Sequence, residues 1–236
     1  MDFYTLYRSL EELGLEIFTL NDIIKITEQK KEVVKSTLTR LVKQKKIYRL
    51  KTKYYSLKRI ENKFQLQKLY TETYIGLHSA LEYYGTTTQR FNNLDLITKN
   101  LLKKQNIENT EIDFHKVKQG LFFGFKKIKI NNSEVFISNI EKTIIDCTYF
   151  SSKVYLTEIN AFIKKNKEII NTEILITYLN KINSSVLNKR VGYLLELSNI
   201  HLKEIKIDNK YERLNINLSK SGTRNTKWKL IINEVI

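Results

Sequence analysis

Proline is absent from the chain and glycine is scarce, with seven residues in 236, where average usage would supply about a dozen prolines and about sixteen glycines. Pro-stiffened and Gly-rich linkers are thereby excluded, so boundaries between units must be read from changes of pattern. A single cysteine, Cys147, rules out an internal disulfide, and with only three scattered histidines no zinc site can be assembled from the usual ligand spacings. Cys147 lies in the apolar stretch TIIDCTYF and reads as a small buried hydrophobe. No apolar run reaches the roughly eighteen residues that a membrane-spanning helix needs. Residues 1–13 have helical amphipathic spacing and are no signal peptide, so a cytoplasmic protein is expected.

What the chain does have is a hydrophobic fraction of 42%, enough to bury a core, and a formal net charge of +16. At 236 residues there is room for two modest domains. The charge is not evenly spread. Residues 21–60 hold thirteen Lys/Arg against three Asp/Glu, a surplus of ten, and the other 196 residues share the remaining six. A concentrated basic stripe suits a polyanion, because each phosphate it neutralises releases condensed counterions. Charge alone is weak grounds, since Lys-rich helices are often merely solvated faces.

The order of elements in the same stretch makes the reading sharper. Thr19 can cap a helix whose first turn carries Asp22, with Leu20, Ile23, Ile24 and Ile26 as its apolar stripe, ending near Thr27. A turn through Thr27, Glu28 and Gln29 leads to a second helix at 31–44, with Val34, Leu38, Leu41 and Val42 on one face. Lys31, Lys35, Ser36, Thr39 and Lys43 stand on the opposite face, with Arg40 at its margin. Residues 47–50 and 54–57 alternate as a hairpin around Lys51, Thr52 and Lys53, and residues 16–18 could add a third strand. Two helices followed by such a hairpin outline a winged helix-turn-helix, which lays its second helix in the major groove of duplex DNA. The residues expected to touch DNA are Lys31, Lys35, Ser36, Thr39, Arg40 and Lys43 on the helix, with Arg49, Lys51 and Lys53 on the wing.

The fold class expected overall is α+β, with a winged helix-turn-helix domain at 1–60 and a mixed α+β domain at 70–236, joined by a polar amphipathic stretch. An opening helix at 2–13 packs through Phe3, Leu6, Leu10 and Leu13 and closes on Gly14. In the second unit, helices are expected at 74–84, 140–149, 155–166, 172–182 and 185–200. Strands are expected at 94–97, 112–118, 120–130, 134–137, 211–217 and 228–232.

No arrangement reaches the threshold for catalysis, and neither a metal nor another cofactor is implied. His78 and Ser79 are adjacent on a helix and point apart, while Glu141 and Asp146 lie about 140° from one another. GLFFG at 120–124 lacks the Lys-Ser/Thr ending of a phosphate loop. The enzyme alternative is a nuclease-like or nucleotide-modifying centre using Asp146, Glu141 or Glu158, delivered to DNA by the wing. Near the C-terminus, Lys220, Arg224, Lys227 and Lys229 surround Ser221, Gly222 and Thr223. That loop reads either as a second nucleic-acid contact through Arg224 and Lys227, or as a solvated hairpin.

Four segments in order carry a family resemblance: the N-terminal helix-turn-helix, YIGLHSALEYYGTTTQ at 74–89, VFISNIEKTIIDCTYF at 135–150, and NKRVGYLLELSNI at 188–200 followed by the 228–233 tail. Together they resemble the AbiEi antitoxins, predicted transcriptional regulators of viral defence. The resemblance implies an antitoxin of a type IV toxin-antitoxin operon. Its N-terminal domain would repress that operon at inverted repeats, as a monomer or weak dimer paired on the DNA. Its C-terminal domain would counter a nucleotidyltransferase toxin, usually without a stable complex. Ala80, Leu81, Gly85, Asp146, Arg190, Gly192 and Tyr193 match the family's most recognisable positions, and read as structural, with Asp146 and Arg190 as candidate buried partners. The chain departs from the family in being short and in having no proline in ISNIEK.

Overall fold

The computed structural model of the chain describes residues 2–86, 92–203 and 205–236. Thr87, Thr88 and Gln89, which end the second resemblance segment, lie outside them.

Helix α1 (Phe3–Glu12) is capped by Asp2, whose carboxylate accepts from the Tyr4 amide at 3.2 Å, and it buries Leu6 and Leu10. Gly14 then turns the chain at φ +64°, a conformation that glycine adopts without steric cost. Strand β1 (Ile17–Thr19) leads into α2 (Leu20–Thr27) through a reciprocal cap: the Asp22 amide donates to Thr19 Oγ1 at 3.2 Å, and the Thr19 amide to Asp22 Oδ2 at 2.7 Å. Two of the four orphan amide donors at this helix start are thus satisfied. Glu28, left-handed at φ 52°, stops α2, and α3 (Lys31–Lys43) follows. Strands β2 (Tyr48–Lys51) and β3 (Tyr54–Ser56) form a hairpin, and β1 pairs antiparallel with β3, giving sheet order β1-β3-β2. Leu6, Leu10, Phe18, Ile23, Val34, Leu38, Leu41, Ile47, Tyr55 and Leu57 make one apolar core beneath these elements.

The segment expected to be a polar connector is instead a buried bridge. A 3-10 helix (Lys63–Leu69) buries Phe64, Leu66 and Leu69 in a cluster that also takes Ile17 and Leu50 from the N-terminal sheet. Ile75, Leu94, Leu96, Ile107, Ile112, Val135 and Ile137 of the next sheet belong to the same cluster. Its amides work as braces. Gln65 Nε2 donates to Glu16 at 2.6 Å, while Gln67 donates to the Thr73 carbonyl at 2.9 Å and accepts from the Phe136 amide at 3.0 Å.

That next sheet is six-stranded and mixed, in the order β6-β7-β5-β4-β9-β8: β4 (Thr73–Ile75), β5 (Asn93–Thr98), β6 (Gln105–Ile107), β7 (Thr110–Lys116), β8 (Phe125–Ile130) and β9 (Ser133–Ser138). Helix α4 (Leu77–Tyr83) connects β4 to β5. The helix expected at 74–84 is therefore a strand and a shorter helix. Tyr74 and Ile75 pair with Ile97 and Leu96 of β5, and a Cβ on Gly76 would stand 2.5 Å from Ile97 Cδ1, so any larger residue there must displace the Ile97 side chain. The strand expected over 120–130 begins only at Phe125, because Gly124 at φ +73° turns the chain first. Strand β6 was not foreseen, having one apolar residue in three.

Helices α5 (Ile140–Tyr149), α6 (Leu156–Asn166), α7 (Thr172–Ile182) and α8 (Ser185–Glu196) follow. Helix α5 is their centre, packed on α4, α6, α7 and α8 and buried from Glu141 to Thr148. Helix α8 stops four residues short of the expected end, with Asn199 left-handed at φ 56°. A small sheet closes the chain, in the order β10-β12-β11: β10 (Glu212–Arg213), β11 (Thr223–Asn225) and β12 (Leu230–Ile232). The expected strand over 211–217 shrinks to the two residues of β10, because only these pair with β12. Among the described residues no helix is long and apolar enough to cross a membrane. The architecture is α+β.

Gly192 shows what this packing demands. A Cβ there would fall 2.1 Å from Cη2 of Trp228, so the tight contact is with the indole and not with another helix. Gly192→Ala is expected to cost about 1–3 kcal/mol through overpacking. Because Trp228 is the only tryptophan, a red shift of its emission, together with the chemical-denaturation midpoint, reports the displacement.

Candidate nucleic-acid interface

Helix α3 forms because its apolar positions recur at helical spacing. Val34, Leu38 and Leu41 are buried and hold it on the N-terminal core. The other side is left to solvent: Lys31, Lys35, Ser36, Thr39, Arg40 and Lys43 are all exposed. Five of these six, Lys35, Ser36, Thr39, Arg40 and Lys43, line one shallow depression together with Glu32. Thr39 Oγ1 donates back to the Lys35 carbonyl at 2.8 Å, which commits its proton and leaves the hydroxyl oxygen as an acceptor. Among the described residues, none of Lys31, Lys35, Arg40 and Lys43 is ion-paired with a carboxylate. A row of unpaired cations on the exposed face of a helix makes a local positive field that only a polyanion or a solvent counterion atmosphere can neutralise.

The three hairpin residues expected to reach DNA divide. Arg49 on β2 and Lys53, which turns the hairpin at φ 71°, are exposed. Lys51 does not reach outward from the hairpin tip as expected. Its Nζ donates to the Leu69 carbonyl at 3.0 Å and lies 3.8 Å from the Tyr70 ring centroid, docking the hairpin onto the buried bridge. Burial lowers the Lys51 ammonium from its ordinary value and pushes the Tyr70 hydroxyl up to about 12. The reason is geometric: β2 and β3 shift register between Arg49 and Lys51, and alternation along a hairpin cannot disclose what covers each face. Lys51→Met is expected to lower stability by about 0.5–2 kcal/mol, the range of a partly desolvated cation–π contact. If Lys51 instead contacts phosphate, the salt dependence of DNA binding will change with it.

The C-terminal basic loop is also partly committed. Lys227 is ion-paired with Glu196 at 2.9 Å, and Arg224 lies 5.2 Å from the Tyr211 ring centroid. Burial works against the Glu196 carboxylate, but Lys227 and the Trp228 indole N–H hold it below its ordinary value. Arg224 remains exposed, whereas Lys227, also exposed, is paired with a carboxylate.

The acids of the enzyme alternative are each held in the fabric. Asp146 is fully buried and bonded to Lys142 Nζ and the Tyr74 hydroxyl, with no Arg190 contact; Arg190 instead donates to the Arg213 carbonyl at 3.0 and 2.9 Å. Glu141 accepts from the Asn171 amide at 2.9 Å, and Asn139 caps α5. Glu158 accepts from the Tyr155 amide at 3.2 Å and lies 3.4 Å from His78 Nε2. Cys147 is buried and free, its thiol pushed up by burial. Among the described residues no group of three His, Cys, Asp or Glu is placed to hold a metal.

Two buried polar units escaped sequence reasoning. Lys142 and Asp146 stand at i and i+4 on α5, a spacing that signals a pair, but the lysine's full burial was not legible. Asp95 on β5 lies 2.7 Å from His115 Nε2 on the parallel neighbour β7, and its amide donates to Ser79 Oγ at 2.8 Å. Nothing local to residues 79, 95 and 115 announces that meeting.

No family model matches the chain, and no curated protein matches it. Among solved structures, the crystal structure of the RV2827C protein from Mycobacterium tuberculosis has a similar fold. Its TM-score is 0.63 at 10% sequence identity, over 95% of this chain and 89% of that one. At that identity the likeness concerns the fold alone.

Proposed function

We propose that the chain is a sequence-specific repressor of the winged helix-turn-helix type, which seats α3 in the major groove of duplex DNA. The observation that carries this reading is the outward row on α3: Lys35, Ser36, Thr39, Arg40 and Lys43 share one depression, with the cations unpaired among the described residues. A helix docked this way puts hydroxyls toward base edges and cations toward phosphates. Arg49 and Lys53 extend the contact from the hairpin. One such module gives limited specificity, so two copies on inverted half-sites about one helical turn apart are the expected arrangement. The role within an operon, as antitoxin against a nucleotidyltransferase, rests on the resemblance of the four segments and belongs to the second unit.

Titration of a fluorescent duplex with the purified chain at several salt concentrations tests the reading. The logarithm of the binding constant should fall linearly with the logarithm of salt concentration, at about 0.9 per phosphate neutralised. Binding that is absent, or indifferent to salt, overturns it. Footprinting on DNA flanking the gene would then locate paired half-sites, and toxicity rescue with the neighbouring gene's product tests the antitoxin role separately.

A further inference from the structure

One carboxylate sits where the proposed interface should tolerate it least. Glu32 is exposed in the first turn of α3 and lines the same depression as Lys35, Ser36, Thr39, Arg40 and Lys43. At about 100° per residue, Glu32, Ser36, Thr39 and Lys43 fall within a sector of about 60°, and the buried Val34, Leu38 and Leu41 lie on the opposite side of the axis. Lys35 and Arg40 flank that sector, one on each side. The middle of the row near the helix start is thus where a groove floor would be met, and the flanks, together with Lys43 about 16 Å further along the axis, are where the phosphate walls would be.

No described residue neutralises the Glu32 carboxylate or is hydrogen-bonded to it. Next to a phosphate it would be repelled. On the groove floor it meets two donor groups, the N4 amino group of cytosine and the N6 amino group of adenine. Adenine presents N7, a lone-pair acceptor, directly beside its amino group, and this repels a carboxylate. Cytosine presents a C5–H there instead.

We infer that Glu32 selects a cytosine in the bound site, accepting a hydrogen bond from its N4 amino group. This inference deepens the DNA-binding reading and rests on it. The plain competing role for an acid in a first helical turn is to favour the helix dipole, which affects stability and leaves base preference alone.

Selection from a randomised duplex pool, run in parallel with the intact chain and the Glu32→Ala and Glu32→Gln variants, separates these roles. The intact chain should enrich a motif with a required cytosine, disfavouring other bases there by about five- to 150-fold. Glu32→Ala should lose the preference at that position alone, and its affinity for unrelated duplex should rise as a repulsive charge disappears. Glu32→Gln should change the required base to adenine, whose N6 and N7 a carboxamide can engage together. Identical motifs from all three proteins overturn the inference while leaving the DNA-binding reading intact. Failure of the intact chain to enrich any motif overturns that reading, and the inference falls with it. Thermal melting of the variants confirms that both are folded.

Discussion

Replacing Lys35, Arg40 and Lys43 together by glutamine should reduce the salt dependence of duplex binding by about 2.7, three contacts at about 0.9 each. All three side chains are exposed and unpaired among the described residues, so their removal takes nothing from the core. The fold should therefore melt within about 0.5 kcal/mol of the intact chain, as surface substitutions usually do. Affinity at low salt should fall most, because screening already weakens these contacts at high salt. A triple variant with an unchanged slope would show that α3 does not face phosphate. Lys51→Met serves as the control: it removes a cation of the neighbouring hairpin that is docked on Leu69 and Tyr70, and should leave the slope alone.

Asp146→Ala should destabilise the chain by about 3–5 kcal/mol, the cost of leaving a buried charge without its partner. Lys142 has no exposed side-chain surface and Asp146 about 2%, so water cannot solvate the stranded ammonium. Tyr74, itself fully buried, would lose the carboxylate that its hydroxyl donates to at 2.9 Å. Pairing Lys142→Met with Asp146→Leu should recover most of that loss, since well-packed apolar residues can replace a buried ion pair at little net cost. The comparison is made by urea denaturation of the two variants, fitted with a common m-value. Equal destabilisation in both would mean that shape, and not charge, decides the site. A wide gap between single and double replacement would be the signature of a network that is costly to break yet dispensable as a whole.

The legible parts of this protein are those whose cause lies within a few residues. The Thr19–Asp22 cap, the stop after Thr27 and the buried row Val34, Leu38, Leu41 follow from side chains three or four positions apart. The exposed row of α3 was legible for the same reason, as its complement. Where an apolar stretch satisfied both periods, as at Tyr74 and Ile75, the deciding partners were Ile97 and Leu96, more than twenty positions away. The candidate Asp146–Arg190 pair failed for another reason: the carboxylate found Lys142 one turn earlier on its own helix, a spacing that signals a pair but not its burial, while the guanidinium found a backbone carbonyl in β10. Glu32 was visible throughout but carried no meaning until it shared a surface with five of the polar residues beside it.

Composition and helical spacing alone determined an α+β chain with a basic, two-helix-and-hairpin unit at its start, because period and capping act over single turns. Only the tertiary structure decided that Lys51 turns inward, that residues 63–69 bridge the two sheets, and that Asp95 meets His115 across parallel strands. Such contacts join residues brought together by the folding of the whole chain, and their energies depend on what surrounds them, which no short window of sequence contains.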